Sequence, residues 1–402
     1  MSLILPPEII ILVAERLADD FPSLKSASLV CSTWLKPTRQ HLFHSMWVTR
    51  LALPQLLALS SHPLSSFPHS VKSLHLDALN SLGHDSALSL GQNLMQLAQL
   101  MDSIVSFQLC NANLLDVENL TDDILENIAS FRSISELGLD GVSFTSVTQA
   151  MRLICAFPRV EKISVRDLVW DDPSGEGKQS GTGFHIPSSL VELQLERCYK
   201  RDVMDCLLLQ HPFPIVPRLD VGIVSPEDSW AIGQYVERLG SHLVELALGF
   251  HSLDAGGDAE DFYHACDLSL CTGLRSIYFK RFVSFWEYRL TSAVPWIIKI
   301  LSRISTPVFE EISFGIHISH IDQLDPLDLP EDFDWEALDR SLSEISLPNF
   351  RTATFIIFIY SSRNGDVYIS DSTHVVNLIE RYLPRSHERR VLNFKIYRGN
   401  WM

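Results

Sequence analysis

The chain has 402 residues, 46% of them hydrophobic and 20% charged, with a formal net charge of −17. This is enough apolar material for a folded core and excludes a disordered chain. So acidic a chain, without clustered Lys and Arg, is a poor match for nucleic acid or an anionic membrane surface. The first elements lie in Leu5–Phe43. Pro6 and Pro7 set an extended entry, and a helix starts at Pro7 or Glu8, with proline in its first turn and a carboxylate near the positive helix end. Ile9, Leu12, Val13 and Leu17 follow at helical spacing. Asp19, Asp20 and Pro22 interrupt, Ser23 offers a cap for a second helix through Leu24, Ala27 and Val30, and Trp34 closes that apolar set. Pro37 punctuates, and Leu42 and Phe43 anchor the exit. Three short helices cannot bury Ile9, Ile10, Ile11, Leu12, Val13, Leu24, Leu29, Val30 and Trp34 among themselves, so the rest of the chain or another protein must cover part of this surface.

The opening Leu5-Pro6-x-Glu8, the apolar run Ile9–Leu12, the centre Val30-Cys31-Ser32-Thr33-Trp34 and the closing Leu42-Phe43 resemble an F-box, as found in the large fungal F-box families. The resemblance covers about the first tenth of the chain. It implies a surface that binds a Skp-type adaptor and, through it, a cullin–RING ubiquitin ligase. Leu5, Pro6, Ile9, Leu24, Val30 and Trp34 are the adaptor-facing residues carried over by this resemblance.

Residues 46–70 read as a helical joint, with one helix near Leu51–Leu59. From Val71 onward a pattern of apolar-x-x-apolar-x-apolar returns: VKSLHL at 71, IVSFQL at 104, ISELGL at 134, VEKISV at 160, LVELQL at 190, VPRLDV at 216, LVELAL at 243, LRSIYF at 274, FEEISF at 309, FRTATF at 350 and VLNFKI at 391. The units recur every 26 to 41 residues. Their last two apolar positions alternate with the period of a strand. Helical segments precede most of them: His84–Met101, Thr121–Phe131, Thr145–Phe157, Arg201–Leu209, Pro226–Leu239, Ser292–Ile304, Asp334–Ile345 and Thr373–Leu383. A strand and a helix in each repeat are the signature of an α/β solenoid.

These units resemble leucine-rich repeats over their strand part. The usual Asn or Cys three residues after the unit is matched only by Cys198. Ala112, Val142, Leu168, Val224 and Phe282 stand there in other units, so the repeats are degenerate. Arg363-Asn364-Gly365-Asp366 is a hairpin signal, from which an antiparallel C-terminal cap is expected. The expected organisation is an F-box-like head over 1–45, a joint over 46–70, and a leucine-rich-repeat-like solenoid over 71–402 with a parallel sheet on its concave face.

Searches for chemistry return surface features. GEGKQSG lacks the Lys-[ST] end and following helix of a P-loop. The acidic stretch Asp322–Asp334 lacks the ligand spacing of an EF-hand, and Asp254–Asp261 reads as a Gly-rich acidic loop. The pairs His41/His44 and His317/His320 have no Glu or Cys partner at metal-binding spacing and read as structural. No G-x-S-x-G elbow, H-E-x-x-H helix or dinucleotide fingerprint is present, so no enzyme activity, cofactor or metal is expected. Seven scattered cysteines, odd in number and without a C-x-x-C pair, fit buried thiols in a reducing compartment. Leu3–Ala14 lacks a basic leader and carries Glu8, and no apolar run approaches ~18–20 residues; neither an export signal nor a membrane span is expected, and the setting is cytosol or nucleus.

Positions alternating with the apolar pair point to the open side of the strands. They include His75/Asp77, Gly138/Asp140, Ser164/Arg166, Gln194/Glu196, Tyr278/Lys280 and Lys395/Tyr397. The candidate target-binding group is Arg166, Glu196, Phe250, Tyr278, Lys280, Arg281 and Phe282, whose aromatic and basic members suit an acidic or modified peptide. The reading is a substrate-recognition subunit of an SCF-type ligase with an unknown protein target. The alternatives are an interaction scaffold whose head is a structural cap, discriminated by burial of Leu5, Ile9, Val30 and Trp34, and an enzyme using the repeats as a platform, which would need a deep pocket of converging titratable groups.

Overall fold

A computed structural model describes residues 5–77, 84–114, 130–170, 184–250, 257–284, 292–318, 324, 333–361 and 372–400. Among these residues the chain forms thirteen strands and thirteen α-helices, and every strand pairing is parallel. It divides into two compact units, 1–190 and 191–402.

The first unit opens with helices α1 (Pro7–Arg16), α2 (Phe21–Ser28) and α3 (Ser32–Leu42). Proline occupies the first turn of α1, as the sequence predicts. The cap of α2 is Asp20, whose carboxylate accepts from the Ser23 backbone N–H at 3.1 Å, so Ser23 lies inside the first turn and does not cap it. The repeating part starts before the first sequence unit, with β1 (Ser45–Thr49) and α4 (Leu53–Ser60). Then come β2 (Ser73–Asp77), α5 (His84–Leu100), β3 (Ser106–Cys110), β4 (Glu136–Asp140), β5 (Ser143–Phe144), α6 (Val147–Cys155) and β6 (Lys162–Trp170). The strand order is β1-β2-β3-β4-β6, with β5 beside β6.

The second unit contains β7 (Glu192–Cys198), α7 (Lys200–Leu208), β8 (Arg218–Val224), α8 (Pro226–Leu239), β9 (Glu245–Phe250), α9 (Gly257–Ala265) and β10 (Ser276–Ser284). It continues with α10 (Val294–Ser302), β11 (Glu311–Ile318), α11 (Trp335–Glu344), β12 (Thr352–Ser361), α12 (Ser372–Tyr382), α13 (Pro384–Glu388) and β13 (Leu392–Asn400). The strands follow one another in sequence order. Each unit is thus a solenoid-like α/β stack, and all eleven sequence units become strands.

The alternating apolar positions form the core. Leu74 and Leu76, Leu137 and Leu139, and Ile163 and Val165 are buried pairs of this kind. Phe279, Phe314, Phe355 and Phe394 stand in register on β10 to β13 and stack at 5.8, 5.1 and 5.9 Å.

After several strands the chain passes through a left-handed residue at the eighth position of its unit: Asn111, Gly141, Asp167, Arg197 and Arg281, with φ between 48° and 65°. Such a residue breaks the alternation, so the next side chain turns back inward. Ala112, Val142 and Leu168 in the first unit and Phe282 in the second are buried there, apolar residues where a leucine-rich repeat usually carries a polar one.

Two expectations are corrected. The C-terminal strands β12 and β13 pair in parallel with the rest, so there is no antiparallel cap among the described residues; the hairpin signal at 363–366 lies outside them. The acidic loop expected over 254–261 is helical from Gly257 on, because Ala259 and Phe262 bury one face and Asp258 and Glu260 sit in the first turn, against the helix dipole. GEGKQSG, His320, most of Thr121–Phe131 and most of the acidic stretch 322–334 lie outside the described residues. No helix among the described residues is long and apolar enough to cross a membrane.

Candidate interaction surfaces

The first surface is the outside of α1, α2 and α3. Their shared interior is small: Ile10, Ala14, Leu24 and Thr38 are its buried residues. Ile10 and Ala14 are four residues apart and turn to that interior, which leaves Ile9 and Leu12 on the other side of α1. Ile9 is 42% exposed, Leu12 56% and Leu5 46%, while Leu29 and Val30, in the link from α2 to α3, are 79% and 67% exposed. Pro6 is exposed too, at the N-cap of α1, and Trp34 is half-buried. Leu24 is fully buried and so is not adaptor-facing: it belongs to the interior of these helices. Ile11, Leu12, Phe21 and Leu29 are exposed residues absent from the carried-over set.

The second surface is the open face of the first unit's sheet. Trp47 on β1 stacks on His75 of β2, with ring centroids 4.4 Å apart and planes within 3°. Burial pushes the His75 imidazole below the ordinary histidine pKa, which favours its neutral form. Farther along, Asn111 Nδ2 donates to Asp77 Oδ1 at 2.8 Å. Arg166 faces Asp140 at 3.8 Å across β4 and β6. Between them Gly138 leaves a depression of about 180 Å³.

The third surface is the open face of the second unit's sheet. Lys280 Nζ lies 2.7 Å from Asp220 Oδ2 and 3.1 Å from Glu196 Oε2. It reaches them across β9, whose Ala247 and Gly249 pair with Tyr278 and Lys280 and offer almost no side chain. Burial alone would depress the lysine pKa, but the two carboxylates outweigh it and hold Lys280 above its ordinary value. Burial raises Asp220 above the usual carboxylate range, with Lys280 opposing. Tyr278 leans over Gly315: a Cβ there would meet the phenol oxygen at 2.8 Å. Burial first, and then the charges of Asp220, Tyr360 and Glu196, push this phenol up to about 12. An aromatic row crosses the neighbouring strands, with His317 on Phe358 at 4.5 Å and Phe358 on Tyr397 at 5.4 Å.

Of the predicted target-binding residues, Glu196, Tyr278, Lys280 and Arg281 belong to this third surface, and Arg166 belongs to the first unit. Phe250 and Phe282 do not belong to either surface. Phe250 continues the inward series Leu246–Leu248 and packs on Phe262 at 5.8 Å; Phe282 is turned inward by left-handed Arg281 and packs on Phe314 at 4.7 Å. Sequence reasoning read His317 as structural and missed Asp220, Phe358 and Tyr360 as members of this surface. Asp220 holds the same place in its unit that Gln194 and Tyr278 hold in theirs, so the repeat alignment itself carried the signal.

His317 illustrates what these surfaces do to stability. Its Nδ1 lies 2.9 Å from the Tyr360 hydroxyl. Burial, and then the charge of Arg281, push its pKa down to about 4. An unfolded histidine takes up its proton near ~6.5. The stability from neutral His317 is therefore complete above that pH and is lost as pH falls toward 4. The loss is roughly 3 kcal/mol. His317→Phe keeps the stack on Phe358 and should remove most of this slope, read from urea unfolding at pH 7 and 4.5. Equal slopes in the two proteins would refute the assignment.

No family model matches the chain, and no curated protein matches it. Among solved structures, it aligns with a chain described as "Crystal structure of Rad7 and Elc1 complex in yeast", at 10% identity and a TM-score of 0.35, over 92% of this chain and 94% of that one. The superposition is loose, and nothing about these surfaces rests on it.

Proposed function

We propose that the chain is a non-enzymatic substrate receptor of an SCF-type ubiquitin ligase. Its three N-terminal helices hold a Skp-type adaptor, and the open faces of its sheets hold a protein target. Ubiquitin transfer would belong to the partners, and this chain would contribute proximity. The observation that carries the reading is the exposed apolar set just before and on α1 and on the link from α2 to α3: Leu5, Ile9, Leu12, Leu29 and Val30. Burying such side chains is worth about 1.5–3 kcal/mol each, and contiguous exposed apolar surface marks an interaction site. The F-box resemblance of the same residues supplies the kind of partner.

The test is co-purification of the full chain with a Skp-type adaptor, beside the double variant Ile9→Glu, Val30→Glu. Both side chains are solvent-exposed, so the variant keeps its fold. The expected result is capture by the wild type and loss on the order of a hundredfold or more in affinity by the variant. Leu24→Ala, by contrast, should act through stability, because Leu24 is core. Failure of the wild type to hold any adaptor would overturn the ligase reading and leave the helices as a structural cap of an interaction scaffold.

A further inference from the structure

The depression over Gly138 is built by three strands of the first unit. Gln108 on β3, Gly138 on β4 and Ser164 on β6 are paired residues across the sheet, and the middle one has no side chain. A Cβ at Gly138 would sit 3.0 Å from Gln108 Cγ, so the space is bounded closely on the β3 side. Acidic, basic and neutral polar side chains line it, with Ser106 and Gln108 on the β3 side. Glu136 and Asp140 on β4 offer acceptors only; Lys162 and Arg166 on β6 offer donors only. The acid–base rows lie opposite each other in register, Glu136 beside Lys162 and Asp140 beside Arg166. The lining therefore balances in charge, with Asp140 already facing Arg166 at 3.8 Å, and a charged occupant would disturb that balance. A neutral carboxamide suits both the acceptors and the donors, because it carries two N–H donors and a carbonyl acceptor in one plane.

A second feature fixes the direction of such a ligand. Trp47 is 65% exposed and stacks face to face on His75. β1 and β4 are three strand spacings apart, about 14 Å at ~4.8 Å per strand. An extended peptide crossing the strands covers that distance in about four residues at ~3.4 Å each, and residues four apart project to the same side.

We infer that the open face of the first unit binds an extended peptide with an aromatic residue on the Trp47–His75 platform and, four residues away, an Asn or Gln whose carboxamide enters the Gly138 depression. The inference deepens the proposed function by giving the target a chemistry, and it rests on reading the open face as the target side.

The experiment uses the full chain and a fluorescein-labelled peptide in which Phe-Ser-Ser-Ser-Gln is flanked by Gly-Ser residues, in both chain orientations, followed by fluorescence polarisation. Binding should weaken about tenfold when Gln becomes Glu, Lys or Leu, or when one spacer residue is removed. Gly138→Val should abolish binding by filling the depression; its backbone φ is ordinary and only the Gln108 side chain must shift, and an unchanged thermal midpoint verifies that the fold is kept. Trp47→Ala should weaken the Phe-containing peptide but not one with Ser in its place. Absence of binding in both orientations, a preference for Glu or Lys, or indifference to Gly138→Val would overturn the inference. Adaptor capture is measured on the same samples. Adaptor bound without peptide refutes this inference alone, and peptide bound without adaptor refutes the ligase reading alone.

Discussion

Asp339→Ala should lower the unfolding free energy of the full chain by roughly 3–5 kcal/mol. Asp339 lies on α11, is 2% exposed, and points at the start of α13. Its Oδ2 accepts from the Arg385 backbone N–H at 3.0 Å, and its Oδ1 accepts from the Ser386 N–H at 2.9 Å and the Ser386 hydroxyl at 2.7 Å. The first N–H groups of a helix have no partner within it. The N-cap residue of α13 is Leu383, which is buried and has no side-chain oxygen to offer, so the side-chain cap comes from another helix. Alanine removes three bonds to the carboxylate and leaves the buried Ser386 N–H and the part-buried Arg385 N–H without that acceptor. Asp339→Asn is the informative partner variant. It keeps the shape and the bonds at Oδ1, but sets an NH₂ against the Arg385 N–H, so about half the loss is expected. Urea midpoints measure the size of the effect, and amide exchange at 385 and 386 tests its origin. A variant that loses stability without faster exchange at those two amides would show that the cap is not the cause.

This bond set spans 46 and 47 residues of sequence, and its length explains why it could not be read in advance. Local periodicity was enough for the strands: each apolar-x-x-apolar-x-apolar unit has the period of an extended chain with one buried face, and all eleven fold that way. It was enough for Pro226–Leu239, where Ser225, Pro226 and two early carboxylates mark the start. It failed at β1, because Ser45–Thr49 offers only Met46 and Val48 as an alternating pair. It failed again where backbone conformation overrides alternation. Asn111, Gly141 and Asp167 are residue types that favour φ > 0, but Arg197 and Arg281 are not, and nothing local announces them. Phe282 was misplaced for that reason. Phe250 was misplaced for a simpler one: continuing the alternation from Leu246 and Leu248 turns it inward. The N-terminal surface was legible because about 40 residues cannot bury so many aliphatic side chains, whatever their detailed packing.

Lys280→Met should cost roughly 2–3 kcal/mol, less than a fully buried pair because each member of the group is about a quarter exposed. The lysine joins two carboxylates that the sheet brings together: Glu196 on β7 and Asp220 on β8. Gly222 helps to position both. Its N–H donates to Asp220 Oδ1 at 2.9 Å, and at φ +60° any Cβ would come within 2.8 Å of Glu196 Oε2. Without the ammonium, two like charges face each other in a poorly solvated site. The Asp220 pKa, raised by burial even with Lys280 present, then loses the charge that opposes that rise. A carboxylate whose folded pKa exceeds its unfolded value favours the fold when protonated, and that contribution is lost as pH rises through the folded pKa. The deficit of Lys280→Met should therefore be small near pH 4 and full at pH 7. Adding Asp220→Asn should recover about half of it, since one carboxylate remains and the like-charge repulsion is gone. Urea unfolding of the wild type, both single variants and the double variant at the two pH values supplies the cycle. A deficit independent of pH would mean that Lys280 stabilises the sheet through its aliphatic stem alone. In that case the ammonium would be available to a ligand, and the acidic-peptide reading of this face would regain its main cation.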